Sequence, residues 1–284
     1  MRRAVTWLDV FTSIPLTGNQ LAVVHDADGI DDTTMLAFAR ETRLSETTYV
    51  QTATQPAADY RNRIWTMLGE IPLAGHPSLG TAVAVARARG EPRVTYVQQT
   101  PAGLQPVEVR IDGDAARASM LQEPARFGPE PAPAGVMAAA GLTAADAHPD
   151  LPPQVVSCGT PHLMAPLRDR AALERIAHDA GALRALLAPL DALVLYLVAV
   201  DPDEGIARAR GLFLGPGGVI EDPATGSAAG PLLAYLRERA GTQSLTVRQG
   251  DEMGRPSTLD CSWSLDRPRV AGDVVVVADG HVSL

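Results

Sequence analysis

The sequence predicts a mixed α+β fold built twice over: two similar halves, each wrapping a sheet around one central helix. Three observations carry that expectation. A short motif recurs, "GEIPLAGHPSLG" at Gly69–Gly80 and "IEDPATGSAAG" at Ile220–Gly230. Aligned on the glutamate, both read E-x-P-x-x-G: Glu70, Pro72 and Gly75, then Glu221, Pro223 and Gly226, each followed by a polar residue, His76 or Ser227. Both copies run into segments that are small and apolar on most sides, "LGTAVAVA" in the first half, and such a helix belongs inside a core. A weaker echo, "GNQLAVV" from Gly18 and "GTPHLMAPL" from Gly159, falls early in each half. Two unrelated glycine turns remain the alternative reading of the motif pair.

Taken in order, "RAVTWLDVF" reads as an opening strand, "TSIPLTGN" as a turn and "QLAVVHD" as a second strand. "DDTTMLAFARET" opens on Asp and Thr and repeats apolar residues at helical spacing, so it is a short helix. "LSETTYVQT" and "YRNRIWTM" are strands leading to the first motif. Pro77 suits a first helical position, and the helix after it runs to Gly90. "QEPARFGPEPAPAG", Gln122 to Gly135, is the linker candidate. It separates an N-terminal lobe at 1–122 from a C-terminal lobe at 136–271, with a strand at about 272–284 returning to the first. The second lobe adds strands at "QVVSCG" and "HLMAPL", a helix over "RAALERIAHDAGALRALL" and a buried strand at "ALVLYLVAV". Ser227 is a good N-cap for the helix ending at Gly241, with Pro231 in its first turn. "VAGDVVVVADGHVSL" closes the chain as a hairpin.

The bulk composition narrows the function. The 284 residues are 46% hydrophobic and 20% charged, a globular balance. A net charge of -9 argues against a nucleic-acid partner, which needs a basic surface. Cys158 and Cys261 have no metal-ligand spacing, so no metal is expected. The longest apolar run, Ala192 to Val200, is too short to span a bilayer, and Asp9 interrupts the start before any signal-like segment. The expectation is a cytoplasmic protein without a membrane partner. There is no P-loop, no G-x-G-x-x-G opening a helix and no G-x-S-x-G elbow, and nothing asks for an organic cofactor.

The repeated turn has a chemistry of its own. A helix N-terminus leaves main-chain N–H groups unpaired, and a glycine there lets an anion approach them. Two such ends facing one cleft would clamp a carboxylate-bearing substrate or a developing enolate. The copies differ where function would enter. Ile71 of the first becomes Asp222 in the second, and His76 is matched by Ser227. Asp222 reads as a turn aspartate before proline, or as an acid/base or substrate-positioning group. His76 reads as a cap or a satisfied interior histidine, or as a donor or proton relay. In "RLSETTYV", a strand over Leu44–Val50 would turn Glu46 inward with Leu44 and Val50, and an inward carboxylate is paired, protonated or faces a cleft. A solvated edge glutamate is the alternative.

"DVFTSIPLTGNQLAVV", "ETRLSETTYV", "EIPLAGHPSLGTA", "EDPATGSAAG" and "QGDEMGRPS" together resemble the PhzF family, the phenazine-biosynthesis isomerases, over most of the chain. The resemblance implies a diaminopimelate epimerase-like fold, with two pseudo-symmetric lobes, each a sheet curled around a central helix. It implies a homodimer and catalysis without a cofactor. It assigns the acid/base role to Glu46, pocket roles to His76, Asp222 and Ser227, and carboxylate-holding amides to Gly75, Gly226 and Ser227. Epimerases of that fold use a thiol from each lobe, but no cysteine stands near either motif here, which excludes a two-thiol racemase. The implied reaction is a proton shift within a small unsaturated carboxylated metabolite of secondary metabolism, such as a dihydro-hydroxyanthranilate. Isomerisation of an alkylproline-type antibiotic precursor, and a catalytically silent binding relative, are the alternatives; a hydrolase or lyase with Asp222 as base is a third. Three departures bear on the substrate. Gly211-Leu212-Phe213 replaces an Arg-Met-Phe stretch, Met67 stands where a proline is common, and Gln20 follows Gly18-Asn19.

Overall fold

The computed structural model describes residues 1–201, 205–215 and 217–284. It divides into one unit of Met1–Met120 with Ala271–Leu284, and another of Leu121–Val270. The first unit begins β1 (Arg2–Val10), β2 (Asn19–Val24), α1 (Asp32–Thr42), β3 (Thr47–Gln51) and β4 (Tyr60–Thr66). It continues β5 (Gly69–Ile71), α2 (Gly75–Arg89), β6 (Arg93–Thr100), β7 (Gly103–Asp112) and β8 (Ala115–Leu121). Next come β9 (Arg126–Phe127), α3 (Pro133–Ala139), β10 (Gln154–Ser157), β11 (Pro161–Pro166), α4 (Arg170–Glu174) and α5 (Ala180–Leu187). The chain ends with β12 (Val194–Asp201), β13 (Ile206–Gly215), β14 (Gly218–Asp222), α6 (Gly226–Ala240), β15 (Ser244–Gln249), β16 (Ser257–Ser264) and β17 (Arg267–Ser283).

Strand pairing decides between duplication and coincidence. In the first unit β2 is antiparallel to β1 and parallel to β3. β3 is antiparallel to β4, which pairs antiparallel with β5 and parallel with β6. β6 then turns back on β7. The second unit repeats every step: β11 is antiparallel to β10 and parallel to β12, and β12 is antiparallel to β13. β13 pairs antiparallel with β14 and parallel with β15, and β15 turns back on β16. The helices enter at matching points, α2 after β5 and α6 after β14. Two unrelated turns would not share a whole pairing order, so the motif pair belongs to a structural repeat.

Each repeat is organised by its motif helix. α2 is buried from His76 to Ala86 and packs against β1, β2, β3, β4, β6 and β7. A helix touching six strands has no free side, which explains its lack of a polar stripe. α6 packs in the same way on β10, β11, β15 and β16. Both stop at a left-handed glycine, Gly90 at φ 69° and Gly241 at φ 72°, after a last turn bearing two arginines.

Four expectations change. The C-terminal segment is one long strand, not a hairpin: β17 pairs antiparallel with β1 from Arg2↔Ser283 to Val10↔Val274. The helix expected over 170–187 is two, because Asp179 caps a new helix by accepting from Ala182 N–H, while the Ala177 N–H goes to the Ala140 carbonyl. Within the expected linker, β9 pairs with β10. Pro77 is the third residue of α2, not the first, because the helix starts at Gly75.

Candidate active site

Glu46 lies one residue ahead of β3 and not within it. The inward-facing alternation expected there is absent: Thr47, Thr48 and Tyr49 are all buried. β3 is covered on both faces, so alternation has nothing to report. On one side the Tyr49 hydroxyl donates to the Met35 carbonyl of α1; on the other, Thr48 Oγ1 meets Thr81 Oγ1 of α2 at 2.8 Å. The Glu46 side chain is 17% exposed, with Oε2 3.4 Å from His76 Nε2.

Burial drives His76 down to about 3, while a bond to the Gln20 main chain opposes that shift. The imidazole is therefore neutral at physiological pH. Nε2 makes no hydrogen bond, so Nδ1–H is the donor to the Gln20 carbonyl, and the Nε2 lone pair faces Glu46. That lone pair is an acceptor for a proton carried on the carboxyl. Gln20 contributes only its main chain to this contact, so its departure from the family pattern leaves His76 held. No side chain caps α2 at Ala74, so the Gly75 and His76 amides lack a capping acceptor, and Pro77 has no N–H to satisfy.

The second motif begins β14–α6. Thr225 is the N-cap, and Ser227 is the second helical residue instead of the expected cap. Pro231 sits five residues beyond Gly226, past the first turn, and its ring gives the Ser227 carbonyl no helical donor. The fully buried His162 of β11 faces the Ser227 main chain, which opposes a fall to about 4 driven by burial. Asp222 Oδ2 accepts from Thr225 Oγ1 at 2.8 Å. Again no side chain caps the helix, leaving Gly226 and Ser227 amides at its start.

Sequence reasoning missed what the motif glutamates do. Arg63 Nε and a terminal nitrogen meet Glu70 at 2.8 and 2.7 Å. Arg210 meets Glu221 with the same two bonds at 2.8 and 2.7 Å. Each glutamate thus forms a two-pronged ion pair with the preceding strand, which holds its turn in place. The signal was available: the glutamate is the residue on which the two copies align, and each copy follows an arginine-bearing strand. Gln249 stands in the sequence as the first residue of the "QGDEMGRPS" motif with no role attached to it, and His162 carried no such signal. Met67 lies at the β4–β5 turn, where its carbonyl accepts from Arg40.

Glu46 and His76 come together within the first unit; Asp222, Gly226 and Ser227 lie along one turn of the second. Both cysteine thiols are buried and pushed up by burial, Cys158 to about 12. No helix of the described residues is long and apolar enough to cross a membrane. Among the described residues no three His, Cys, Asp or Glu side chains cluster as metal ligands.

A family model described as PhzC-PhzF, phenazine biosynthesis-like protein, matches residues 8–280. The trans-2,3-dihydro-3-hydroxyanthranilate isomerase of Pseudomonas aeruginosa is 37% identical, with 98% of each chain covered. The crystal structure of a Bacillus anthracis phenazine biosynthesis protein of the PhzF family superposes with a TM-score of 0.86 at 25% identity, covering 100% of both chains. A hydroxyproline epimerase from Agrobacterium vitis, at 14% identity and a TM-score of 0.64 over 100% of this chain and 93% of its own, shares the fold. This protein, with its duplicated sheet-and-helix architecture of the diaminopimelate epimerase type, belongs to the PhzC-PhzF family and is an isomerase.

Proposed function

We propose that the chain is a cofactor-independent isomerase that moves one proton within a small unsaturated carboxylated metabolite, with Glu46 as both base and acid. The substrate class is a dihydro-hydroxyanthranilate, as in the name of the Pseudomonas aeruginosa relative. The observation that carries this reading is the 3.4 Å approach of Glu46 Oε2 to Nε2 of a neutral His76. The Glu46 carboxylate takes a C–H proton, and the resulting carboxyl leans its O–H on the Nε2 lone pair. The same proton is returned to another carbon, so the reaction is redox-neutral and consumes nothing. A cationic imidazole would instead donate to the Glu46 carboxylate and weaken it as a base, which is why burial of His76 matters.

The amides of Gly75, Gly226 and Ser227 would hold the substrate carboxylate, and Asp222 and Ser227 would contact its amine or hydroxyl. A homodimer is the assembly this reading carries, checked by light scattering on the purified protein. The central experiment incubates wild-type and Glu46→Gln protein with trans-2,3-dihydro-3-hydroxyanthranilate in deuterated water. The wild type should isomerise it, and the variant should lose at least about a hundredfold in rate. Turnover by the variant at the wild-type rate would remove Glu46 from the chemistry.

A further inference from the structure

The "QGDEMGRPS" segment is the one motif of the sequence that the reaction leaves without a task. Its first residue, Gln249, ends β15 and is 2% exposed. All of its polar capacity is spent on the Asp222–Thr225 turn and one tyrosine. Gln249 Nε2 donates to the Asp222 carbonyl at 2.7 Å and to Thr225 Oγ1 at 2.9 Å. Its Oε1 accepts from the Thr225 N–H at 3.2 Å and from the buried Tyr196 hydroxyl at 2.9 Å. Because Thr225 Oγ1 receives the amide proton, its own hydrogen is directed to Asp222 Oδ2, at 2.8 Å. The chain Tyr196–Gln249–Thr225–Asp222 runs in one donor direction from β12 to the carboxylate.

Comparison with the first repeat shows what this relay is for. Ile71 and Ala74 stand where Asp222 and Thr225 stand, and in the ladder Ile64 pairs with Ile71 as Gly211 pairs with Asp222. Three apolar side chains in one copy are thus replaced by a carboxylate, a hydroxyl and an empty space in the other. The space is needed: a Cβ on Gly211 would sit 2.6 Å from Thr225 Oγ1 and 3.3 Å from Gln249 Nε2. Gly250, at φ +85°, likewise lets the Pro223 carbonyl approach to 2.7 Å of where a Cβ would be. A turn that only had to hold a helix start could have kept the apolar set.

We infer that Gln249, acting through Thr225 and with room given by Gly211, is the positioning residue for the Asp222 carboxylate and for the Gly226–Ser227 turn in the isomerase reaction. This rests on the proposed contact of Asp222 with substrate. It also gives the Gly211 departure a physical role, since the relay fills the volume of the missing side chain.

The test is a double-mutant cycle on the full chain, read on turnover of trans-2,3-dihydro-3-hydroxyanthranilate and on the dissociation constant of 3-hydroxyanthranilate. Gln249→Leu should lose at least about tenfold in kcat/KM, with native circular dichroism. In an Asp222→Asn background the same change should cost less than about twofold, because the group it positions is already gone. Thr225→Val and Gly211→Ala should resemble Gln249→Leu, whereas Thr225→Ser, which keeps the hydroxyl, should recover the wild-type constants. Wild-type constants for Gln249→Leu, or losses that multiply in the double variant, overturn the inference while Asp222→Asn remains impaired. Wild-type constants for Asp222→Asn, or neither turnover nor binding by the unaltered chain, overturn the functional reading and this inference with it.

Discussion

Two buried imidazoles contribute to the acid response of this protein. His76 is held at about 3 and His162 at about 4, against 6.5 in the unfolded chain, and burial is the first cause in both. The unfolded chain therefore takes up protons below pH 6.5 that the folded sites refuse. Their contribution to stability is complete above that pH and is lost as pH falls towards the folded values, at up to about 1.4 kcal/mol per pH unit for each histidine. Urea midpoints between pH 7 and 4 should fall, and a His76→Gln, His162→Gln variant should show a flatter fall. An unchanged slope in that variant would show that other groups control acid unfolding. The same neutrality predicts that a pH–rate profile carries no inflection from His76 above about pH 5.

At the scale of elements, the two ion pairs are the fixed points of the repeat. Arg210 and Glu221 are 10% and 13% exposed; Arg63 and Glu70 are 9% and 24% exposed, and Arg63 also meets Asp32 at 2.8 Å. Breaking one partner of a buried pair strands the other charge, at about 3–5 kcal/mol. Arg210→Met should approach that range by chemical denaturation. Glu70→Gln should cost less, since Asp32 still answers Arg63 and the glutamate is more exposed. An Arg210→Met, Glu221→Met double variant should recover much of the loss, because apolar packing replaces the pair without leaving a charge behind. Equal loss in the single and double variants would mean that packing around Arg210, not its charge, holds β13 to β14.

At the scale of the whole molecule, the order of the chain is not the order of its folding units. Residues 271–284 belong with Met1–Met120, and β17 pairs with β1 and with β8. Its strand therefore completes the ring β1–β2–β3–β4–β6–β7–β8 around α2. A chain ending at Val270 would leave two open edges and expose that helix, conditions that favour association of strands. Such a truncation should lose the cooperative transition of the first unit and become protease-sensitive between residues 1 and 120. Retention of the full-length transition would show that the ring is not required.

Much of this was legible in the chain alone. The repeated E-x-P-x-x-G turn, the two all-round apolar helices and the Arg-to-glycine stops depend on local chemistry, and each falls where expected. The readings that failed depended on neighbours distant in sequence. Glu46 could not be assigned to its pre-strand position because β3 is covered on both sides, which erases the period of two. Ser227 looked like a cap until Thr225 was drawn into a network with Gln249, 24 residues away. The C-terminal residues "DVVVVADGHVSL" fit a closing hairpin and a strand returning to the first lobe alike, and only the pairing with β1 decides for the strand. The sequence by itself determined the motif pair, the family and the candidate acid/base side chains, because these follow from side-chain type and short spacing; strand pairing decided that the pair is a structural repeat. Only the tertiary structure decided which partner each buried polar group met, because a buried donor must be satisfied by whatever the fold brings beside it.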